Sequence, residues 1–334
     1  MRLVQIASRT GERRVAQVRD EKLLLLDGVH SVYELGREAL DAGRHLAATA
    51  EQYVSAETLE YDEVYEGKSV WRILPPVDHP EEPARCLISG TGLTHMASAR
   101  QRQAMHAADQ APQSPTDSMR MYQWGVEGGR PMAGTIGAAP EWFYKGCGNM
   151  LRAHGEPLVV PPHAEDAGEE PEIAGIYLID NAGMPRRAGM AVGNEFSDHR
   201  LEKKNYLYLA ASKLMTCALG PELVLDPDFS SAPGEVAIER GGIVVWSKRI
   251  CSGDEAMSHS LENLEHHHFK HPAHRRSGDV HIHFFGADAF SFGDGLVLQD
   301  GDVMQVRFIG FGRPLRNPVR TDRSPQRHFA AVPL

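Results

Sequence analysis

Acidic residues stand next to two apolar runs of the sequence that are typical of strands. Glu170 and Glu172 are two positions apart at the start of the run 173–179, and Glu195 follows a second run, 188–192. Side chains two positions apart on a strand point to the same face, so Glu170 and Glu172 should face together. Three carboxylates from neighbouring strands form a hard, oxygen-rich ligand set that suits Mg²⁺, Mn²⁺ or Ca²⁺. The spacing therefore indicates a candidate metal site.

Two other interpretations of these acidic residues stay open on the sequence alone. Acidic residues beside strands are often solvated residues of turns. Glu169 competes for a ligand position, because a strand register slipped by one residue would bring it onto the site face.

Histidines form a second concentration of possible ligands. Of the 17 histidines, seven lie between positions 266 and 283. Nitrogen ligands of this kind would suit Zn²⁺ or Ni²⁺, although such clusters more often pack at helix ends and against aromatic rings. Packing is the favoured interpretation for the cluster. His283 is the exception, because we expect it to line the main pocket.

The N-terminal part of the chain reads as a small α+β unit. Alternating apolar runs in residues 1–35 predict an antiparallel sheet. Ser31 is a candidate N-cap with Glu34 completing a capping box, and helical character continues to about Glu60. A proline-rich stretch, 74–83, reads as a linker. The predicted organisation is a small N-terminal domain, a linker and a catalytic domain, at residues 1–75, 76–84 and 85–334.

The rest of the chain is dominated by short strand patterns and glycine turns, with a few helical stretches. The pattern predicts a buried strand at 86–90, loops at 110–119 and 127–139, and helices at 96–109, 201–215 and 257–270. Long loops in a compact domain usually serve as lids or binding loops. The fold class is therefore α+β, mostly β.

Composition excludes several classes of function. The 334 residues carry a formal charge of −10, which argues against nucleic acid as the partner. The four cysteines lie far apart, which argues against a thiolate zinc site and fits a reducing compartment. The N-terminus has no secretory pattern and no run is apolar enough for a membrane span, so we expect a cytoplasmic protein without membrane partners.

Several motifs follow one another along the chain in the order Pro140–Lys145, Glu170-Pro171-Glu172, Gly193-Asn194-Glu195-Phe196-Ser197, Ser212-Lys213, Gly278-Asp279-Val280 and Asn317-Pro318-Val319. In this order they resemble the fumarylacetoacetate hydrolase superfamily over roughly residues 84 to 320. The resemblance implies a mixed β-sandwich roll, which many members carry behind a small N-terminal domain.

The resemblance also implies roles for individual residues. Glu170, Glu172 and Glu195 would hold Mg²⁺ (or Mn²⁺ or Ca²⁺), although many relatives have aspartate at the last position. Lys213 matches a lysine beside the bound keto acid, where a neighbouring cation would lower its pKa. The remaining predicted catalytic residues are His95, His199 and Glu202, and the predicted substrate-binding residues are Lys145, Ser197, His283 and Tyr144.

Departures from the common pattern bear on the reaction. In hydrolytic relatives a histidine matching His95 is paired with a glutamate, but the matching position here is Ser98. His199 and Glu202 stand where relatives carry other polar groups, and both can bind hydroxyls. We therefore expect a metal-dependent lyase that dehydrates a 2-keto-3-deoxy sugar acid through a metal-stabilised enolate.

Alternatives to the dehydratase remain. They are a C–C hydrolase of a 2,4-diketo acid, a decarboxylase, and a catalytically silent protein that binds keto acids. The expected partners are a small 2-keto acid and, from the resemblance alone, a second copy of the chain in a homodimer.

Overall fold

The computed structural model describes residues 1–107 and 116–334, with side chains for all of these except residues 105–107. The strands of the described residues are β1 (Arg2–Ser8), β2 (Arg13–Arg19), β3 (Lys22–Leu26), β4 (Val54–Glu60), β5 (Trp71–Ile73), β6 (Cys86–Gly92), β7 (Glu141–Cys147), β8 (Leu151–Arg152), β9 (Leu158–Val160), β10 (Pro171–Ile179), β11 (Pro185–Asn194), β12 (Cys217–Leu219), β13 (Leu223–Val224), β14 (Ala232–Arg240), β15 (Ile243–Ser252), β16 (Val280–Phe284), β17 (Val303–Phe308) and β18 (Leu315–Thr321).

Helices are fewer than strands in the described part of the chain. The α-helices are α1 (Val32–Asp41), α2 (Leu46–Glu51), α3 (Tyr61–Tyr65), α4 (Met96–Ala107), α5 (Asp117–Gly128), α6 (His199–Lys204), α7 (Leu209–Ser212) and α8 (Leu261–Phe269). The predicted α+β, mostly β class is confirmed, because strands build both sheets and helices only cover or connect them.

Two sheets organise the described part of the chain. The larger has thirteen strands, in the order β4-β3-β2-β1-β13-β11-β10-β16-β6-β7 with β5, β8 and β12 attached beside this path. The smaller has five strands in the order β15-β14-β17-β18-β9. Most neighbouring strands are antiparallel, as β14 and β17 are. β16 and β6 are parallel, so the two sheets together contain both kinds of pairing.

Apolar residues between the sheets form the main core. Ile173 and Val192 from the larger sheet meet Val236 and Val306 from the smaller one. A second core lies on the opposite face of the larger sheet, where residues such as Ile282 pack with the N-terminal helices. Because alternate residues of a strand point to opposite faces, β10 serves both cores, with Ile173 in the first and Ile176 in the second.

The N-terminal strands belong to the larger sheet. β1 pairs with β13, with Leu3 opposite Leu223. Ser31 caps α1 by accepting a hydrogen bond from the Glu34 amide, as predicted, whereas the Glu34 carboxylate reaches the His30 amide. The predicted domain boundary at residues 76–84 stays a prediction.

Two predicted elements near these regions were wrong. Residues 54–60 form a strand and not the end of a helix. The hydrogen bonds that β4 makes with β3 stabilise the strand more than the helix propensity of these residues stabilises a helix. Residues 117–119 begin helix α5 and are not a loop, since Thr116 caps the helix through the Met119 amide. The rest of that predicted loop, 110–115, lies outside the described residues, as do the last two residues of the predicted helix 96–109.

The hairpin of β10 and β11 carries the segment that matters most for function. Its turn is closed by Asp180, whose carboxylate accepts hydrogen bonds from the amides of Ala182 and Met184. Gly183 has a φ of +77°, which glycine adopts without steric cost. The turn fixes the register that puts Glu172 opposite Gly193.

Among the helices of the described residues, none is long and apolar enough to cross a membrane.

Candidate metal centre

Three glutamates meet where β10 begins and β11 ends. Glu172 lies in β10, Glu195 directly follows β11, and the amide of Glu195 donates a 3.0 Å hydrogen bond to the carbonyl of Glu170. One carboxylate oxygen from each of Glu170, Glu172 and Glu195 lies within 4.8 Å of the other two. All three side chains are buried. The ligand group predicted from the sequence is therefore brought together by the hairpin.

Glu169 does not belong to this group. Its carboxylate accepts hydrogen bonds of 2.6 and 2.8 Å from the amide and hydroxyl of Ser291. The register that places Glu170 and Glu172 together is the one found.

The backbone next to Glu195 is strained. Phe196 is fully buried and has a φ of +53°, a left-handed conformation that bulky residues rarely adopt. Its carbonyl accepts a hydrogen bond from Lys145 Nζ, and the following residue, Ser197, donates a 3.0 Å hydrogen bond to Glu195. This conformation costs about 1–3 kcal/mol, which is typical of functional sites.

Two buried lysines compensate the negative charge. Lys213 Nζ lies 2.6 Å from both Glu170 Oε1 and Glu195 Oε2, and Lys145 Nζ lies 3.0 Å from Glu195 Oε1. Lys213 also lies 4.7 Å above the ring of Phe143. Two of the predicted residues, Lys213 and Lys145, are thus in direct contact with the carboxylate group.

The electrostatics of the group are uneven. Burial opposes ionisation of Glu170, but the charge of Lys213 and the hydrogen bond from His199 outweigh it and hold its pKa well below the ordinary value. Burial, with the charges of Glu195 and Glu170, raises the pKa of Glu172 well above the ordinary value. Burial and the charge of Glu170 likewise raise the pKa of Glu195.

The pKa of Lys213 was predicted to be lowered by a neighbouring cation, but the carboxylates raise it. Burial acts to lower it, but the charges of Glu170 and Glu195 prevail, so the pKa lies above the ordinary lysine value. Lys213 is a buried ammonium beside the carboxylates.

The residues present fit a hard divalent cation. The donors are carboxylate oxygens only, they converge, and they are shielded from water. The three carboxylates face two lysines, Lys213 and Lys145, so the group carries more negative charge than the lysines supply positive charge. A dication held by Glu170, Glu172 and Glu195 would supply the missing positive charge.

His199 and Glu202 lie on helix α6 beside the carboxylates. His199 Nε2 is 3.1 Å from Glu170 Oε1, and its ring stacks on Phe290 with ring centroids 4.8 Å apart. Burial works against protonation of His199, but the hydrogen bond and charge of Glu170 raise its pKa. Glu202 is fully buried; its Oε1 lies 2.8 Å from Arg102 Nε, and its Oε2 has no partner among the described residues.

His95 lies next to the segment that holds Glu172. Thr94 Oγ1 is 2.8 Å from His95 Nδ1 and donates to the carbonyl of Phe285, while the amide of Gly286 donates to Glu172 Oε2 at 2.7 Å. Burial lowers the pKa of His95 to about 4, against a small raising effect of the Asp288 charge. His95 Nε2 is buried and has no hydrogen-bond partner in the part of the chain that the structure describes.

The structure does not bring two predicted substrate-binding residues to the carboxylates. His283 hydrogen-bonds Ser89 and Thr91 at 2.8 Å each, on the face of the sheet opposite to Glu172. Tyr144 pairs with Ser89 across the β6–β7 ladder and is 44% exposed. Their assignment as substrate-binding residues stays a prediction, and neither residue contacts the three glutamates in this geometry.

The other histidines of the cluster pack on this opposite face. His268 accepts a 3.1 Å hydrogen bond from the Trp142 indole, and its Nε2 is 2.9 Å from His281 Nδ1. Among the described residues, the three glutamates form a group of three or more convergent metal ligands and the histidines do not. Packing, the favoured interpretation from the sequence, agrees with this arrangement.

Arg102 is a residue of the site that the sequence analysis missed. Its Nη1 donates a 2.9 Å hydrogen bond to Glu141 and its Nε is 2.8 Å from Glu202 Oε1, with all three side chains buried. Tyr206 donates a further hydrogen bond to Glu141 at 2.7 Å. The available signal was weak: Arg102 is three residues after Ala99, so both share one face of a helix that is otherwise polar.

No protein-family model matches the chain, and no curated protein matches it by sequence. Solved structures do match it over nearly the whole length. A hexagonal crystal form of 2-keto-3-deoxyarabinonate dehydratase has a TM-score of 0.70 at 20% identity, covering 97% of this chain and 100% of that one. 2-Keto-3-deoxy-D-arabinonate dehydratase complexed with magnesium and 2,5-dioxopentanoate has a TM-score of 0.69 at 21% identity, with the same coverage of both chains.

Another matching structure is 2-hydroxyhepta-2,4-diene-1,7-dioate isomerase from Mycobacterium marinum. It has a TM-score of 0.59 at 16% identity and covers 97% of this chain and 100% of that one. At such identities the likeness concerns the fold. The predicted fold, that of the fumarylacetoacetate hydrolase type, is confirmed. A sugar-acid enzyme is among the structures with a similar fold.

Proposed function

We propose that the chain is a divalent-metal-dependent hydro-lyase that removes water from a 2-keto-3-deoxy sugar acid. The observation that carries the proposal is the buried group of Glu170, Glu172 and Glu195 with Lys213 bridging two of them. The fold shared with a magnesium-bound dehydratase of such an acid supports the same reaction class. Mg²⁺ is the proposed ion because the donors are all oxygens.

A bound divalent ion would act as a Lewis acid on the 2-keto group. The reaction breaks the C3–H bond and the C4–O bond, forms the C3–C4 double bond, and releases one water. Glu202 would take the C3 proton, or Lys213 would do so in its neutral form, which a bound dication would favour by opposing the ammonium charge. His199, whose raised pKa favours the protonated form, would give a proton to the departing C4 hydroxyl, and His95 would do so only in its protonated form. Glu202 and His199 lie on helix α6, Lys213 directly follows α7, and His95 directly precedes α4.

Burial supports a reaction that excludes bulk water. Glu202, Lys213, His199 and His95 are each at most 2% exposed. A reactive carbanionic centre is protected from stray protons in such a site. Glu202 Oε2 has no partner among the described residues and suits a sugar hydroxyl as a hydrogen-bond donor.

The test is a panel of 2-keto-3-deoxypentonates and hexonates beside acylpyruvates, with metal-loaded protein and products identified by mass. Loss of one water from a sugar acid is the expected result. Glu172→Gln should abolish it by removing a ligand, whereas the exposed Glu235→Gln on β14 should not change it. Metal and ligand binding without turnover of any keto acid would contradict the proposal and favour a silent binder. Release of CO₂ would indicate a decarboxylase.

A C–C hydrolase of a 2,4-diketo acid is the second candidate. The observation that favours it is the unpartnered Nε2 of His95, which is kept neutral by burial and feels the charge of Asp288. A neutral histidine with a free nitrogen suits activation of water. Gain of water with cleavage into two acids in the same panel, lost in His95→Gln, would establish it.

The proposed enzyme acts as a homodimer in the cytoplasm. The dimer rests on the resemblance, and the location rests on composition and cysteine spacing. Sedimentation of the purified protein and fractionation of cells check the two separately.

A further inference from the structure

A second cavity lies beside the candidate metal centre, among helix α4, helix α6 and the 3₁₀ turn Ser291–Asp294. We name it the basic cavity; Arg100, Gln101, Arg200, Lys203, Phe292 and Leu296 are among the residues that line it. Its volume is about 750 Å³ and its lining includes none of the three glutamates.

Positive charge at the basic cavity is largely uncompensated. Within residues 1–107 and 116–334, no carboxylate lies within ion-pair distance of Arg100 or Lys203, and the nearest for Arg200 is Asp166 at 4.0 Å. Asp294 belongs to the turn, but its carboxylate is engaged by Trp246 and Lys248. Three cations around one cavity attract an anion.

The rest of the lining is not that of a simple phosphate site. Phe292 and Leu296, with Ala104 and Val297, give the cavity an apolar surface. Gln101 packs against Gly293, and its amide has no hydrogen bond among the described residues, although its Oε1 is buried. A ligand with an apolar body and a polar group within reach of the amide would use both features.

We propose that the basic cavity binds an organic dianion with an apolar or aromatic body, its negative groups being carboxylates or a phosphate. The volume lies within the roughly 300–1,000 Å³ of small-molecule sites. Two or more negative charges match the three cations, and the apolar lining favours an organic ion over an inorganic one. This ligand is distinct from the substrate of the candidate metal centre.

The walls of the basic cavity connect it to that centre. Helix α4 carries Arg102, which reaches Glu202 on α6, and α6 begins with His199, which contacts Glu170. Phe292 in the third wall lies 5.1 Å from the His199 ring, centroid to centroid. A dianion held by Arg100 and Lys203 would therefore link α4 to α6 beside the candidate metal centre.

The experiment is calorimetric titration of the metal-loaded protein with phenyl phosphate and with phthalate, an aromatic phosphate and an aromatic dicarboxylate. Inorganic phosphate tests the charge alone and benzyl alcohol tests the apolar body alone. We expect at least one aromatic dianion to bind more tightly than both by a factor of about ten or more. The two arms distinguish a phosphate ligand from a carboxylate ligand.

Variants place the binding in the cavity. Arg100→Gln/Lys203→Gln should raise the dissociation constant of the preferred dianion by about tenfold or more. The matched control, Arg19→Gln/Lys22→Gln, removes two exposed cations from the β2–β3 hairpin and should leave it unchanged. Glu172→Gln should also leave it unchanged, which separates this cavity from the metal centre and this proposal from the proposed function.

Three results would overturn the proposal. Inorganic phosphate or benzyl alcohol binding as tightly as the aromatic dianions would remove the need for a combined site. Unchanged binding in Arg100→Gln/Lys203→Gln would place the ligand elsewhere. Loss of binding in Glu172→Gln would assign it to the metal centre.

Discussion

Lys213 is the side chain that links the charge of the carboxylates to proton transfer. Its ammonium is fixed by two carboxylates at 2.6 Å and by the ring of Phe143. A buried lysine in such a place has two roles, as a counter-ion and as a proton carrier. The first is visible in the geometry and the second belongs to the proposed reaction.

We expect Lys213→Gln to lower kcat by roughly 10²–10⁴-fold, the usual contribution of a general acid or base. Metal binding should persist, because the three glutamates remain. The measurement is kcat on the substrate found in the panel, with Mg²⁺ affinity measured in parallel. The control is Lys248→Gln, which changes a lysine on β15 that pairs with Asp294. A kcat within about threefold of wild type would show that Lys213 is a counter-ion only.

Metal binding can be tested at Glu172 without any substrate. Burial raises the pKa of its carboxyl well above the ordinary value, and the charges of Glu195 and Glu170 add to the effect. Mg²⁺ should therefore raise the melting temperature, with about 2.7 kcal/mol of stabilisation at a hundredfold excess over Kd. A chelator should reverse the shift and Glu172→Gln should abolish it. An equal Mg²⁺ shift in that variant would place the ion elsewhere.

Helix α4 is the element that covers the site, and one residue ties it down. Arg102 is buried between Glu141 and Glu202, so it is the strongest polar link of this helix to β7 and α6. Among the side chains of α4 that the structure describes, Ala99 packs against Leu93 and Tyr122. The stability of the cover therefore depends on this ion pair network.

Arg102→Met should destabilise the protein by about 3–5 kcal/mol, because it leaves two buried carboxylates without their cation. Urea unfolding measures the loss, and hydrogen exchange should show faster opening of α4 than of β10. Arg100→Met on the same helix, an exposed position, is the matched control. The double variant Arg102→Met/Glu202→Gln should recover part of the loss, and no recovery would contradict the pairing.

The histidine-rich face of the sheet sets how the whole molecule responds to acid. Burial lowers the pKa of both His281 and His283 to about 3, from an ordinary value of 6.5, with neighbouring histidine charges adding to the effect. Between these values the unfolded chain binds a proton at each position and the folded chain does not. Their contribution to stability is therefore complete above pH 6.5 and declines as the pH falls towards 3.

His283→Gln should make the fall in unfolding free energy between pH 7 and pH 5 shallower, since one of these protons is no longer taken up on unfolding. Glutamine can keep a hydrogen bond to Ser89 or Thr91, so the fold should survive. Urea unfolding at several pH values gives the slopes. The exposed His328→Gln serves as the control. A slope equal to that of wild type would show that His283 is protonated in the folded chain at pH 5.

At the scale of the whole chain, the sequence by itself determined the hairpin chemistry. Glu170 and Glu172 are two apart, and strand periodicity alone places them on one face. Ser31 as a helix cap and the β-rich character are local in the same sense. The position of Glu195 after a second apolar run indicated it as well. The resemblance added Lys213, whose contact with Glu195 across 18 residues no periodicity could predict.

Only the tertiary structure decided which side chains share a space. His283, Tyr144 and Lys145 were all predicted to bind substrate. The pairing of β6 with β7 and β16 places His283 and Tyr144 on the opposite face of the sheet. Arg102 lies in the site because α4 packs over β7. Residues 54–60 form a strand because they pair with the edge of β3. Local spacing fixes the direction of a side chain along its own element, whereas the choice of neighbours depends on pairing between distant segments.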